Sequence, residues 1–449
     1  MKRLSIGAWL LVLSVASAFA PSPSAGPAGF LAGGGGSKRR AQAVPENDAS
    51  NCPYCKGDPE LMARVGVVSH GGFRFGTRDT AGTDALLPNT PLFWIETQHF
   101  EIGSGLERYA IPRDEREPIK AELAELRRAL PAVPLRVRNL DPWLRLHLYA
   151  QRMDRLWKRV QTILNVTDED FPQAGESWSL DQPYRGEGPH LGMAGKFELF
   201  LLPDRERQSR WLQEEFGLRT ERTQRWNIAD AGTLTVAINA NEERLRRDAA
   251  LHGHVVFSMA INLVDGFRHY AYETPVWLNE GLAHYLEREL DPRFNSFSYS
   301  EAALAEETRR DDWCSPVRRL VANQAAPSVA RLAHLQTPAQ MGLEHHYAAW
   351  SMTAFLVERH GEGYACLVES LHGLRDGKGL PDGGHMTDKH RDAFERCLGM
   401  RYQEFDEAWA AWAKRQTHKK RSERKRFVAE TGQSDRGVVA WPDVQAPLR

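Results

Sequence analysis

Two histidines, His252 and His254, open an apolar segment, LHGHVVFSMAINLV, and a little further on WLNEGLAHYLE carries Glu280, His284 and Glu287. Imidazole nitrogens and carboxylate oxygens are donors that zinc accepts, so chemistry is sought here first. On a helix Glu280, His284 and Glu287 fall at i, i+4 and i+7 along one face, while Leu278, Leu282, Tyr285 and Leu286 form an apolar stripe. Pro275 suits the first turn of that helix. The preceding segment is apolar nearly all round from Val255 to Val264, which reads as a buried helix with His254 and Ser258 one turn apart on the same face. His252 and His254 diverge by about 200° on a regular helix, so both reach one metal only if the helix begins between them. Gly253 would permit that. Glu273 and Glu287 are the carboxylates available as a base.

A second constellation is Cys52-Pro-Tyr-Cys55. It is open to three readings: a tight structural disulfide, part of a metal site, or a redox pair. His70 is the nearest spare ligand. Lys56 stands where c-type haem attachment needs a histidine, so that reading is excluded.

The run PVWLNEGLAHYLE resembles the glutamate helix of gluzincin metallopeptidases of the aminopeptidase-like kind, in which W-L-N-E-G-[LF]-A supplies the third zinc ligand. The resemblance implies Glu280 as the metal carboxylate, with His284 one turn on, placed to orient a ligand. It also implies a preceding helix bearing H-E-x-x-H, with two histidine ligands and a glutamate base. Here the chain departs from the family. From His254 the run is H-V-V-F-S, with Val255 for the base and Ser258 for the second ligand; from His252 it is H-G-H-V-V, with Gly253 and Val256. Loss of a general base commonly costs roughly a hundred- to ten-thousand-fold in rate. Downstream, EHHYAAW is similar to the family's Tyr-x-x-[AS]-W helix, which implies Tyr347 as an oxyanion-stabilising residue.

The elements that must position these groups are legible in part. Trp94 to Ile102 alternates as a strand, with His99 on its surface. Ile119 to Leu130 and Pro142 to Leu164 have helical periodicity, and His147 in the second reads as a packed histidine. Lys196 to Leu202 and Thr233 to Ala240 read as strands, Arg205 to Phe216, Glu344 to Leu356 and Tyr402 to Ala413 as helices. The expected fold class is α+β: a small mixed sheet followed by a mainly helical, gluzincin-like domain.

The expected organisation is a signal peptide at 1–20, a flexible Gly/Pro/Ser-rich tether at 21–50, a CxxC-containing segment at 51–90, an α/β part at 91–245, a helical part with the site at 246–416, and a basic tail at 417–449. Lys2 and Arg3 before an apolar run that ends in small residues predict export, to a periplasm or the extracellular space, with no transmembrane span after cleavage. Fifty-eight basic against 59 acidic residues in the 449-residue chain leave no charge excess to attract nucleic acid. HKKRSERKRF near the C-terminus suits an anionic envelope surface. Five cysteines cannot all pair within the chain and describe no disulfide scaffold.

Three functions follow as expectations. The first is an exported gluzincin-fold protein, degenerate as a metallopeptidase, that binds a peptide or protein. The second is an active zinc hydrolase with an altered ligand set drawn from His252, His254, Glu280 and His284. The third is a module centred on Cys52 and Cys55.

Overall fold

Asp58 starts the first helix, α1 (Pro59–Arg64), by accepting from the amides of Glu60 and Leu61, in a computed structural model that describes residues 47–173, 175–270, 274–298 and 310–418. The stretch expected as a signal peptide, nearly all of the expected tether, Glu273 and the basic residues from 419 onward lie outside the described residues. Strand β1 (Val67–Ser69) leads into a hairpin, β2 (Arg74–Phe75) and β3 (Arg78–Asp79), and helix α2 (Thr80–Leu86). Strands β4 (Phe93–Thr97) and β5 (Phe100–Ser104) follow, then β6 (Tyr109–Ala110), α3 (Arg116–Ala129), β7 (Asn139–Leu140) and α4 (Pro142–Leu164). Beyond them come β8 (Phe197–Leu202), α5 (Arg205–Phe216), β9 (Gln224–Ile228) and β10 (Thr233–Asn239). The rest of the described chain is helical: α6 (Asp248–Asp265), α7 (Val276–Leu290), α8 (Cys314–Ala322), α9 (Val329–Ala333), α10 (Leu343–Arg359), α11 (Gly361–Ser370), α12 (Met386–Leu398) and α13 (Tyr402–Ala413). This is the α+β class, a small mixed sheet followed by helices.

The sheet has six strands in the order β1-β4-β5-β8-β10-β9. β5, β8 and β10 run parallel, while β1, β4 and β9 pair antiparallel to their neighbours. β8 and β10 are buried along their whole length, as parallel strands covered on both faces are. Phe197, Leu199 and Leu201 of β8 and Leu234, Val236 and Ile238 of β10 join the large core that includes α4 and α6. Phe200, Leu202 and Ala237 point the other way, into a smaller core with Trp94 and Trp211. The large core runs without a break from Cys52 to Ala413, so the stretches expected at 51–90, 91–245 and 246–416 share one interior.

Several elements have visible causes. Asp141 caps α4 through the Leu144 amide, 3.0 Å away, with Pro142 in the first turn, and Asn165 ends the helix in the left-handed region. At the start of α6, Asp248 is buried and its carboxylate meets the Arg152 guanidinium of α4 at 2.6 Å. That ion pair, shared with Glu122 of α3, pins the histidine helix to the sheet-covering helices.

The single strand expected from Trp94 to Ile102 is a hairpin instead, β4 and β5 joined at Gln98 and His99. Alternating hydrophobicity is the same on both arms of a tight hairpin, so periodicity does not reveal the turn. His99 is correspondingly not on a strand surface. It is buried, stacks on Trp157 at 3.8 Å between ring centroids and meets Asp168 at 3.1 Å. Strand β9 was not legible, because QRWNI is mostly polar. One disulfide joins Cys366 of α11 to Cys397 of α12, while Cys52 and Cys55 are not bridged. No helix of the described residues is long and apolar enough to cross a membrane.

Candidate functional site

α6 and α7 pack side by side, and α10 lies against α7. Their contact brings three donors together inside the protein. His284 Nε2 is 3.1 Å from His346 Nδ1, and Glu280 Oε2 is 3.9 Å from the first and 3.7 Å from the second. Glu280 and His284 share a face of α7 because they are one turn apart; His346 enters from the first turn of α10. Zinc with bonds of about 2.0–2.1 Å to each ligand places neighbouring donors roughly 3.3 Å apart, close to this spacing.

All three side chains are buried, and Phe257, Phe297 and Trp313 pack around the His284 ring. Burial pushes the Glu280 carboxyl up to about 7 and the His346 imidazole down to about 3, and it holds His284 well below its ordinary value. The histidines are therefore neutral, the form that binds metal. One Glu280 oxygen is bonded to Ser298, but Oε2 is unpaired, as are Nδ1 of His284 and Nε2 of His346. One proton serves the contact between the two ring nitrogens and leaves Glu280 Oε2 without a donor. A divalent cation would serve Glu280 Oε2, His284 Nε2 and His346 Nδ1 together, so the group can hold a metal ion.

The other two histidines expected at this site are elsewhere. His254 has both nitrogens occupied: Nδ1 is 2.9 Å from Ser296 Oγ and Nε2 is 2.7 Å from Thr223 Oγ1. Ser296 in turn donates to Glu287 Oε1 at 2.6 Å, and its amide donates to Oε2 at 2.9 Å. Burial pushes Glu287 up to about 8, the Ser296 bonds opposing it. No hydrogen bond or ion pair of the described residues joins His254 to Glu280. His252 faces the Arg152, Glu122 and Asp248 cluster, and its pKa falls to about 3 through burial and then the nearby Arg152 charge. The carboxylates of that cluster are already committed to the Arg152 guanidinium, and none of them is shared with the Glu280 group. The helix begins at Asp248, four residues before His252, so the two histidines diverge as a regular helix requires.

His254 and Ser258 instead line an open cleft of about 860 Å³ between the edge strand β9 and α6. Its walls carry five arginines and five carboxylates, Arg225, Arg244 and Glu243 among them, and Phe297 and Ser298 separate it from the buried trio. Tyr347 is not among its lining residues. It is buried edge-on to Trp313, with Arg310 Nη1 3.4 Å from its hydroxyl.

His346 was missed by sequence reasoning, although it stands between His345 and Tyr347 in a run already singled out. Nothing in spacing alone tells which of two adjacent histidines faces the neighbouring helix.

A second convergence of donors lies far along the chain. Cys52 Sγ is 3.4 Å from His147 Nε2, and Cys55 Sγ is 3.2 Å from His70 Nε2. The donor atoms of Cys52, Cys55 and His147 lie within 4.8 Å of one another, which also suits a metal ion. His147 is thus both a packed histidine and part of this group. Comparison with protein-family models, with curated proteins and with solved structures finds no match to this chain.

Proposed function

We propose that the chain is an exported, gluzincin-like protein that binds a peptide or protein ligand in the His254 cleft without hydrolysing it. One observation carries the reading. The cleft face of α6 presents His254, with both nitrogens satisfied, and Ser258, while Val255 stands where the family's glutamate base would be. A cleft whose imidazole is already bonded on both nitrogens, and in which a valine takes the place of the family's base on α6, is equipped to bind rather than to activate water. Its mixed arginine and carboxylate walls suit polar backbone and charged side chains of a peptide.

Glu280, His284 and His346 would hold zinc beneath the cleft floor, and the unpaired, buried Oε2 of Glu280 facing the two imidazoles favours that assignment. Bound zinc supplies Lewis acidity when a substrate can reach it. The aromatic packing around His284 keeps solvent away from the trio, and Glu280 and the two imidazoles keep one another oriented. The disulfide between α11 and α12 is in keeping with export, since such bonds persist in oxidising compartments.

The test uses the purified mature protein and a library of unstructured peptides, read by mass spectrometry for both retention and cleavage. Retention without cleavage is expected, with retention lost in Ser258→Trp, which fills the cleft. Cleavage abolished by a chelator would replace this reading with an active zinc hydrolase of altered ligand set. Absence of retention would remove the peptide ligand.

A further inference from the structure

We propose that Cys52, Cys55, His70 and His147 form a closed, structural zinc site, independent of the cleft and of the Glu280 trio. The four residues come from three separate parts of the chain. Cys52 and Cys55 lie in the turn before α1, His70 follows β1, and His147 sits in the second turn of α4. The donor atoms of Cys52, Cys55 and His147 lie within 4.8 Å of one another, and His70 joins them through its contact with Cys55, with Tyr54 packed on His147 and Trp143 on His70.

The turn itself prepares the sulfurs. The amide of Lys56 donates to Cys52 O at 3.0 Å and that of Asp58 to Cys55 O at 2.8 Å. Lys56 and Gly57 both take left-handed φ, 54° and 65°, which reverses the chain around the pair. Both cysteines are at most 1% exposed and unbridged. Local turn geometry has placed two thiols side by side in the interior.

The histidines arrive with a lone pair forward. His70 Nδ1 is 2.8 Å from the carbonyl oxygen of Trp94, which can only accept, so Nδ1 carries the proton and Nε2 faces Cys55 with its lone pair. A backbone carbonyl that fixes the tautomer of a ligand imidazole is the usual outer support of a metal site. The His147 ring stands nearly perpendicular to the His70 ring, 5.7 Å between centroids, with its Nε2 on Cys52. Zinc bonds of about 2.3 Å to sulfur and 2.0–2.1 Å to nitrogen place the two donor types roughly 3.6 Å apart around a tetrahedral centre. The two contacts, 3.4 and 3.2 Å, are near that value.

Charge supports the same assignment. Two thiolates and two neutral imidazoles around Zn²⁺ sum to zero, which a site this buried tolerates far better than a lone thiolate. Two cysteines and two histidines fill all four positions, so the ion would hold structure and take no substrate. It would tie the turn before α1 and the chain after β1 to α4, and so anchor the start of the folded chain.

The experiment is elemental analysis of the full-length, untagged protein, with Cys55→Ser, His147→Ala, His70→Ala and Glu280→Ala variants beside it. Each of the first three variants is expected to lose one zinc equivalent while Glu280→Ala keeps the thiolate-bound ion, so that adding Cys55→Ser to Glu280→Ala removes one equivalent more than Glu280→Ala alone. Should a variant fail to fold, the wild-type protein supplies two further readings. A mercurial titrated against the native protein should release zinc in step with thiol modification. Cobalt(II) exchanged into it should give thiolate-to-metal charge-transfer absorption. A Cys52–Cys55 disulfide found by mass spectrometry, or zinc content indifferent to both Cys55→Ser and the mercurial, overturns the proposal.

Discussion

Gly281 on α7 meets Thr353 on α10 with no room for a Cβ between them. A methyl at Gly281 would clash with Thr353 Oγ1 and stand 2.8 Å from the carbonyl oxygen of Ala349. The backbone oxygen has little freedom to yield, so the glycine sets how near α10 comes to α7. Glu280 is the residue before it and His284 is three residues on. The closeness of these helices is therefore what allows His346 to reach across.

Gly281→Ala is expected to destabilise the protein even though alanine is the better helix former by about 1 kcal/mol. Overpacking a tight contact costs about 1–3 kcal/mol. The measurement is chemical denaturation beside metal content, and both should fall together. A variant of unchanged stability would mean that the two helices have slack that the geometry does not suggest.

Zinc added to chelator-treated protein should be taken up by the Glu280, His284 and His346 group and raise its stability. At a thousandfold excess over Kd the gain is about 4 kcal/mol. His346→Ala should take up one equivalent less than wild type, and His254→Ala the same number as wild type. The contrast reads out which histidine serves the metal, and equal loss in both would restore His254 to the ligand set.

How far the site could be read from sequence follows from where its information lies. Helical spacing alone put Glu280, His284 and Glu287 on one face, because i, i+4 and i+7 are local geometry. Arg205–Phe216, Pro142–Leu164 and Tyr402–Ala413 were likewise bounded as observed. The partner of Glu280 was not legible. His254 stands on the helix before it in sequence, yet Ser296 and Thr223 capture both its nitrogens, and those partners come from distant loops. His70, 15 residues after Cys55, was legible as a spare ligand, but His147 stayed hidden as a companion of Cys52 and Cys55 for the same reason: it lies 92 residues beyond Cys55, and only the fold closes the distance.

Acid should loosen the attachment of α6 to α4. Asp248 and Glu122 both hold the buried Arg152; burial raises their pKa values, but the Arg152 charge and hydrogen bonds outweigh it and leave both below the ordinary carboxylate range. A lowered folded-state pKa contributes stability that is present above the unfolded value, near 4, and lost as pH falls through the lowered one. Thermal midpoints should thus drop steeply below about pH 4 in wild type. Asp248→Asn, which leaves a buried guanidinium short of a partner, should cost about 3–5 kcal/mol at neutral pH and flatten that acid limb. An acid limb as steep in the variant as in wild type would assign the loss to other carboxylates.

The opposite pH dependence is expected at the centre of the sheet. Glu96, Glu101 and Glu198 are cross-strand neighbours on β4, β5 and β8, a row of three like charges. Lys196 satisfies Glu96 at 2.7 Å, and the amide of Gly76 donates to Glu198 at 2.9 Å. Glu101, between them, is pushed up to about 8 by burial and then by the charges of Glu198 and Glu96, and burial takes Glu198 to about 7. Because the folded state holds these protons more tightly than the unfolded one, stability declines as pH rises from the ordinary glutamate value through about 8. Glu101→Gln removes one charge and keeps the shape, so it should raise the thermal midpoint little at pH 5 and more at pH 9. The comparison of wild type and variant across that range decides it: a gain independent of pH would mean that Glu101 is already ionised, and paired, in the folded protein.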